Sequence, residues 1–212
     1  MVKNYELYQA QNFDSFFRYR DFMKRKLALK KLCDAFKREK LHWALAWSAG
    51  LFFRGIVDDF HDLDIVVESI NREKMVQFLN TVGAEIESEY NDPCFTTKVF
   101  FRCYLDGVEM DIMSDFGMTV NQIDYKLEFS MAEIDIISAN GMNIPIYTAE
   151  VQYLLYAILE DSWQERRRRK REMISEYLSN TGLNHGEVFK KSLEMQLPDW
   201  IKGQISLLIH NK

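Results

Sequence analysis

The chain has 212 residues, 47% of them hydrophobic, enough for one large domain or two small ones with a real core. Its net charge of −5 argues against broad, non-specific nucleic-acid binding. The acidity is uneven: residues 148–212 carry 10 Lys/Arg against 9 Asp/Glu and the first 147 carry 17 against 23, so only a local basic patch remains to grip a phosphate.

In chain order, the N-terminal stretch MVKNYELYQAQNF lacks the apolar run of a secretion signal. Residues 13–38 then set Phe22, Leu29, Leu32 and Phe36 at helical spacing among basic residues, which predicts one or two amphipathic helices. Cys33, Cys94 and Cys103 are odd in number, with neither CxxC spacing nor a paired His cluster. They suggest neither a disulfide framework nor a zinc site, and a cytoplasmic setting is expected. WALAW (43–47) and LDIVV (63–67) read as central strands, with room for a turn or two of helix after Ser48 and Gly50. NREKMVQFLNTVG (71–83) reads as a helix closed by Gly83, AEIESEY as a strand, and NDP as a break at Pro93. KVFFRCYLDGVEMDIMS (98–114) holds two alternating runs joined by Asp106-Gly107, a two-residue hairpin turn. One or two further strands are expected in 118–138. From Thr148, a candidate N-cap, the pattern is helical in segments 149–161, 163–179, 184–196 and 198–209. The longest greasy run, YLLYAIL (153–159), is too short to span a bilayer. The expectation is an α/β (α+β) fold: a small mixed sheet flanked by helices over 1–147, then a helical bundle over 148–212.

Strand alternation puts Asp62, Asp64 and Val66 on one face and Leu63, Ile65 and Val67 on the other. Neighbouring carboxylates repel, so they belong either in water at the strand mouth or around a cation. Mg²⁺ suits them, because it takes one or two carboxylates and leaves its other positions to water and substrate phosphates. In the hairpin, a two-residue turn sets Leu105 against Val108, Tyr104 against Glu109, Cys103 against Met110 and Arg102 against Asp111. Arg102, Tyr104, Glu109 and Asp111 then share the polar side, and Arg102 is either an ion-pair partner of Asp111 or a phosphate ligand. The run ERRRRKRE (165–172) reads as a solvated helix face or a basic patch; helical spacing groups Arg166, Arg169 and Lys170 and turns Arg167 and Arg171 away. Tyr153, Tyr156 and Trp163 read as core, at most lining a pocket. His61 neighbours the acids, whereas His42, His185 and His210 have no ligand spacing.

A small-residue turn, then Asp-apolar-Asp, then a greasy strand resembles the DNA polymerase β-like nucleotidyltransferase superfamily. That family has an apolar residue, Gly, then Gly or Ser ahead of the aspartates. Trp47, Ser48 and Ala49 stand in those places here, twelve residues intervene, and DLDI (62–65) follows; sliding by one gives Ala49 and Gly50. The phrase FHDLDIVV looks like the small antibiotic-modifying branch, the aminoglycoside and lincosamide nucleotidyltransferases. The match covers about residues 43–114. The resemblance implies that Asp62, Asp64 and Asp111, the last in VEMDIM, hold Mg²⁺ in a two-metal site, and that Ser48, Ala49 and Gly50 cradle the distal phosphates of a nucleoside triphosphate. Arg102, Arg166 and Arg169 are the remaining candidate nucleotide contacts. An NMP group would pass to a hydroxyl of a small acceptor with release of pyrophosphate. Two other readings stay open: the arginine run suits a toxin–antitoxin-type enzyme acting on tRNA or protein, and the altered turn suits a relative without turnover.

Overall fold

Apolar periodicity drives the first element, α1 (Phe13–Glu39), which buries Ala28, Leu29, Leu32, Ala35 and Phe36. The structure, a computed structural model, describes residues 13–89, 95–160 and 165–210. The expected N-terminal segment up to residue 12, Pro93, Cys94 and Trp163 lie outside these residues. After α1 come β1 (Trp43–Leu45), α2 (Trp47–Phe53), β2 (Leu63–Val67), α3 (Arg72–Val82), β3 (Glu85–Glu89), β4 (Val99–Leu105) and β5 (Val108–Ser114). Then follow β6 (Gly117–Val120), β7 (Ile123–Lys126), β8 (Ile134–Ala139), β9 (Met142–Tyr147), α4 (Ala149–Glu160), α5 (Glu165–Thr181), α6 (Gly186–Ser192) and α7 (Asp199–His210). Asn71 caps α3, its side chain accepting from the Lys74 N–H, and Gly83 ends it in the left-handed region at φ 76°. Thr148 opens α4, its hydroxyl accepting from the Val151 N–H at 3.4 Å.

Seven strands form one mixed sheet in the order β3-β4-β5-β2-β1-β9-β8, with β2–β5 and β1–β9 parallel and the other pairs antiparallel. One face carries an apolar layer: Leu63, Ile65, Val67, Cys103, Met110 and Ile112 pack with Leu32 and Phe36 of α1 and Met75 and Phe78 of α3. The opposite face carries Ala44, Val66, Phe100 and Met113 against Tyr153 and Tyr156 of α4 and Ile174 of α5. A mixed sheet flanked by helices and followed by a helical bundle is the architecture expected from the sequence. Among the described residues, no helix is long and apolar enough to cross a membrane.

Where one or two strands are expected in 118–138, three fall there, β6, β7 and β8, and β9 follows outside that range. Asn121-Gln122 (φ 50° and 65°) joins β6 to β7 in a separate two-stranded sheet, and Asn140-Gly141 (φ 51° and 74°) joins β8 to β9. Asn-Gly is as strong a hairpin signal as Asp106-Gly107. Pro145 obscured it, since proline argues against an interior strand. The strand tolerates Pro145 because β9 meets β1 only at the pair Leu45↔Ile146, past the proline.

The turn into α2 is tightly enclosed. Trp47 sits at φ 44°, an uncommon conformation for a bulky residue, and Ser48, Ala49, Gly50 and Leu51 are buried. A Cβ on Gly50 would lie 2.4 Å from the Gln152 Nε2 and 3.1 Å from the Leu45 carbonyl oxygen. Gly50→Ala is therefore expected to destabilise the protein by about 1–3 kcal/mol, read from its denaturation midpoint, because backbone on one side and a buried amide on the other leave no room.

Candidate active site

Register builds the site. In the parallel β2–β5 pair Asp64 stands directly beside Asp111, and in the antiparallel β4–β5 pair Arg102 stands directly beside Asp111. Three adjacent strands thus carry Arg102, Asp111 and Asp64 in one row, about 5 Å between neighbours, on the face covered by the C-terminal helices. The hairpin takes the register that its two-residue turn specifies, Asp106 and Gly107 both lying at positive φ. Asp62 ends the loop leading into β2. The loop is pinned at Asp59, which pairs with Arg25 at 3.1 Å, and at Phe60, which packs on Phe52 with ring centroids 5.0 Å apart. His61 is exposed.

Arg102 grips Asp111 with both arms of its guanidinium, Nε donating to Oδ1 and Nη2 to Oδ2, each at 3.0 Å. A second carboxylate, Glu109, stands 3.4 Å from the same Nε. Asp64 has no such fork among the described residues. Burial, then Asp62, then Asp111 raise its pKa well above the ordinary carboxylate value, and Lys170 and Arg102 offset this only in part.

The small-residue turn abuts the acids, for the Ala46 N–H just before α2 donates to the Asp64 carbonyl oxygen at 3.0 Å. The Gly50 N–H is already committed to the Ala46 carbonyl oxygen at 3.2 Å. The donors left by the helix are therefore those of its first turn, at Ser48 and Ala49.

From across the face, α4 and α5 bring cations and a phenol. Lys170 is half-buried, its Nζ 5.6 Å from the Tyr156 ring centroid. Burial and then Arg166 lower its pKa, while Asp64 and Asp62 oppose them. Burial, followed by Asp64, pushes the Tyr156 phenol far above its ordinary pKa, opposed by Arg166 and Arg167. The grouping of the arginine run by face needs correction. Arg171 is buried and pairs with Glu160, Arg167 is half-buried with Nη1 donating to the Leu159 carbonyl at 3.4 Å, and Arg169 is exposed. The inward face is therefore Arg167, Lys170 and Arg171, with Arg166 exposed at its edge. Helical spacing keeps Lys170 with Arg166 on the face that could meet a triphosphate, but it turns Arg167 away, and Tyr156 reads as core, at most lining a pocket. The missed signal lay downstream: the apolar anchors Ile174 and Leu178 are buried on α5, and counting back from Ile174 by three, four and seven gives Arg171, Lys170 and Arg167.

Among the described residues no set of three His, Cys, Asp or Glu side chains stands ready to hold a metal ion. The donor chemistry nevertheless fits a hard divalent cation: Asp62, Asp64 and Asp111 supply carboxylate oxygens, with Asp64 directly beside Asp111 in the parallel strand pair.

No protein-family model and no curated protein matches the chain. Solved structures do. A Thermotoga maritima protein provisionally described as a nucleotidyltransferase aligns at a TM-score of 0.54 and 19% identity, over 74% of this chain and 94% of that one. The antibiotic-resistance factor ANT(2'')-Ia in solution aligns at 0.56 and 10% identity, over 88% and 90%. Its crystal structure with adenylyl-2''-tobramycin aligns at 0.53 and 8% identity, over 85% and 94%. At such identities the likeness speaks for the fold. The chain has the fold of the polymerase β-like nucleotidyltransferases, some antibiotic-modifying enzymes among them.

Proposed function

We propose that this protein is a Mg²⁺-dependent nucleotidyltransferase that moves an NMP group from a nucleoside triphosphate to a hydroxyl of a small acceptor. The observation that carries this reading is the opposition of the acids at Asp62, Asp64 and Asp111 to the cations of α5 across one sheet face, in a chain with this fold. Acids that hold a cation and cations that hold phosphate are what a metal–triphosphate needs at its two ends.

Asp62 and Asp64 would hold the metal, with Asp111 completing the set nearer the acceptor. Mg²⁺, when bound, supplies charge neutralisation for the phosphates. Ser48 and the first-turn N–H groups of α2 would cradle the distal phosphates, while Lys170 and Arg166 would draw the triphosphate toward the acids. An Asp111 carboxylate oxygen would take the proton of the attacking hydroxyl. As the hydroxyl oxygen bonds to the α-phosphorus, the α–β phosphoanhydride bond breaks and pyrophosphate leaves with its electron pair. The acidic balance of residues 1–147 favours a cationic acceptor, and an aminoglycoside is the first to test because ANT(2'')-Ia carries an adenylyl-aminoglycoside. A lincosamide is the second.

Incubation with each α-labelled triphosphate, Mg²⁺ and a panel of aminoglycosides, lincosamides and tRNA tests the reading. Label on a small acceptor supports it, label on tRNA reassigns the acceptor, and label nowhere favours a fold without turnover. Two substitutions refine the test. Lys170→Met is expected to weaken Mg²⁺-triphosphate binding about tenfold or more, as loss of a partly buried charge contact does. Arg169→Ala, on the exposed side, is expected to leave it within about 1 kcal/mol in a calorimetric titration.

A further inference from the structure

Both oxygens of the Asp111 carboxylate are taken up by one side chain. Arg102 donates to Oδ1 and Oδ2 at 3.0 Å each, a planar fork on a planar carboxylate, and the pair lies on neighbouring strands whose register holds it in place. The Asp111 side chain is only 14% exposed, so little of it is left open to another ligand. Asp64, directly beside it on the next strand, has no such fork among the described residues. The acids are thus in place while one of them is occupied.

The same guanidinium has somewhere else to go. Glu109 stands 3.4 Å from its Nε, on the same face and two residues nearer the turn, with a side chain 41% exposed. A small swing of Arg102 toward Glu109, or toward a triphosphate oxygen, would free Asp111 without unpairing the arginine.

We propose that Arg102 is a latch that keeps Asp111 from the metal until a triphosphate draws it away, so that this chain takes up cation and nucleotide together. The inference rests on the reading of Asp111 as a metal ligand given above. Arg102 acts here through Asp111, as a positioning residue. A divalent cation alone must displace a bidentate charged pair to reach Asp111, whereas a metal–triphosphate offers the guanidinium anionic oxygens in exchange. Binding of the two ligands is then coupled, each raising the affinity of the other by the same factor. The latch would also hold the acids together without metal, leaving one carboxylate charge balanced.

Mn²⁺, which is directly visible by electron paramagnetic resonance, is the probe. The full-length protein, Arg102→Met, Arg102→Lys, Asp111→Asn and the double variant Arg102→Met/Asp111→Asn are titrated with Mn²⁺ alone, then with Mn²⁺ and a non-hydrolysable triphosphate analogue. The latch predicts weak binding of Mn²⁺ alone to the wild type. Arg102→Met should bind it about tenfold more tightly or better, and the gain should vanish in the double variant, since it passes through Asp111. Arg102→Lys separates a latch from a simple loss of charge. It keeps the charge but loses the fork, so it too should gain affinity, and it serves if Arg102→Met fails to fold. No gain in Arg102→Lys, or an equal gain with and without Asp111, would overturn the latch. Failure of the underlying reading looks different: Mn²⁺ with the analogue would bind wild type and Asp64→Asn alike.

Discussion

Asp64→Asn is expected to lower nucleotidyl transfer at least about 100-fold while making the ligand-free protein more stable. The two effects have one cause. Asp64 is pressed by burial, by Asp62 and by Asp111, so its carboxyl holds a proton more tightly in the folded chain than in the unfolded one. A carboxyl raised by folding contributes stability that is present below its ordinary pKa and lost as pH rises through the raised one. Above the ordinary carboxylate range the Asp64 carboxyl is therefore a liability to the bare fold, and the nearly isosteric amide relieves it. Each kcal/mol so recovered raises the melting temperature by about 2–4 °C in a chain of this size. The wild type should also lose stability as pH climbs above the carboxylate range, and the variant should lose less. An amide is a poor substitute ligand for Mg²⁺, so on the proposed function the gain in stability would come with loss of metal-dependent transfer. Thermal melts across pH with and without Mg²⁺ check both halves; a destabilised Asp64→Asn would contradict the account of its environment.

Arg171→Met is expected to cost up to about 3–5 kcal/mol of folding stability, because it leaves its half-buried partner Glu160 uncompensated. Arg171 binds Glu160 through both Nε and Nη2, the latter at 3.5 Å, and stacks its guanidinium 5.3 Å from the Trp200 ring centroid. Side chains of the pair are 11% and 17% exposed. This arginine therefore ties α5 to α4 and to α7, and its loss should loosen the cover over the acids. Spacing within the run turns it away from the face of Arg166 and Lys170. Restoring neutrality with Arg171→Met/Glu160→Gln should recover much of the loss, and a denaturant titration of the two variants measures the difference.

How much was legible follows from the range of each interaction. The hairpin of β4 and β5 is local, set by Asp106-Gly107 and by alternation, so the pairing of Arg102 with Asp111 could be read from the sequence. The meeting of Asp64 with Asp111 is a parallel pairing across 47 residues, which no local pattern encodes. There the expectation that the acids converge came from family resemblance. The assignment of α5's inward face failed because grouping within a charge run ignores which residues anchor the helix. Ile174 and Leu178 decide that face, and they bury Arg171 with them. β9 was missed because Pro145 interrupts its pattern, although it pairs where its missing N–H is not needed.

On the proposed function, the acids and cations on one sheet face form a single site for a metal–triphosphate. The most direct measurement is the melting temperature of the full chain with Mg²⁺ alone, with a non-hydrolysable triphosphate analogue alone, and with both. A ligand at 100 times its Kd stabilises by about 2.7 kcal/mol, which a thermal melt resolves readily. The account predicts a shift with both ligands that exceeds the sum of the separate shifts and disappears in Asp64→Asn. Additive shifts, or the same shift in Asp64→Asn as in the wild type, would contradict it.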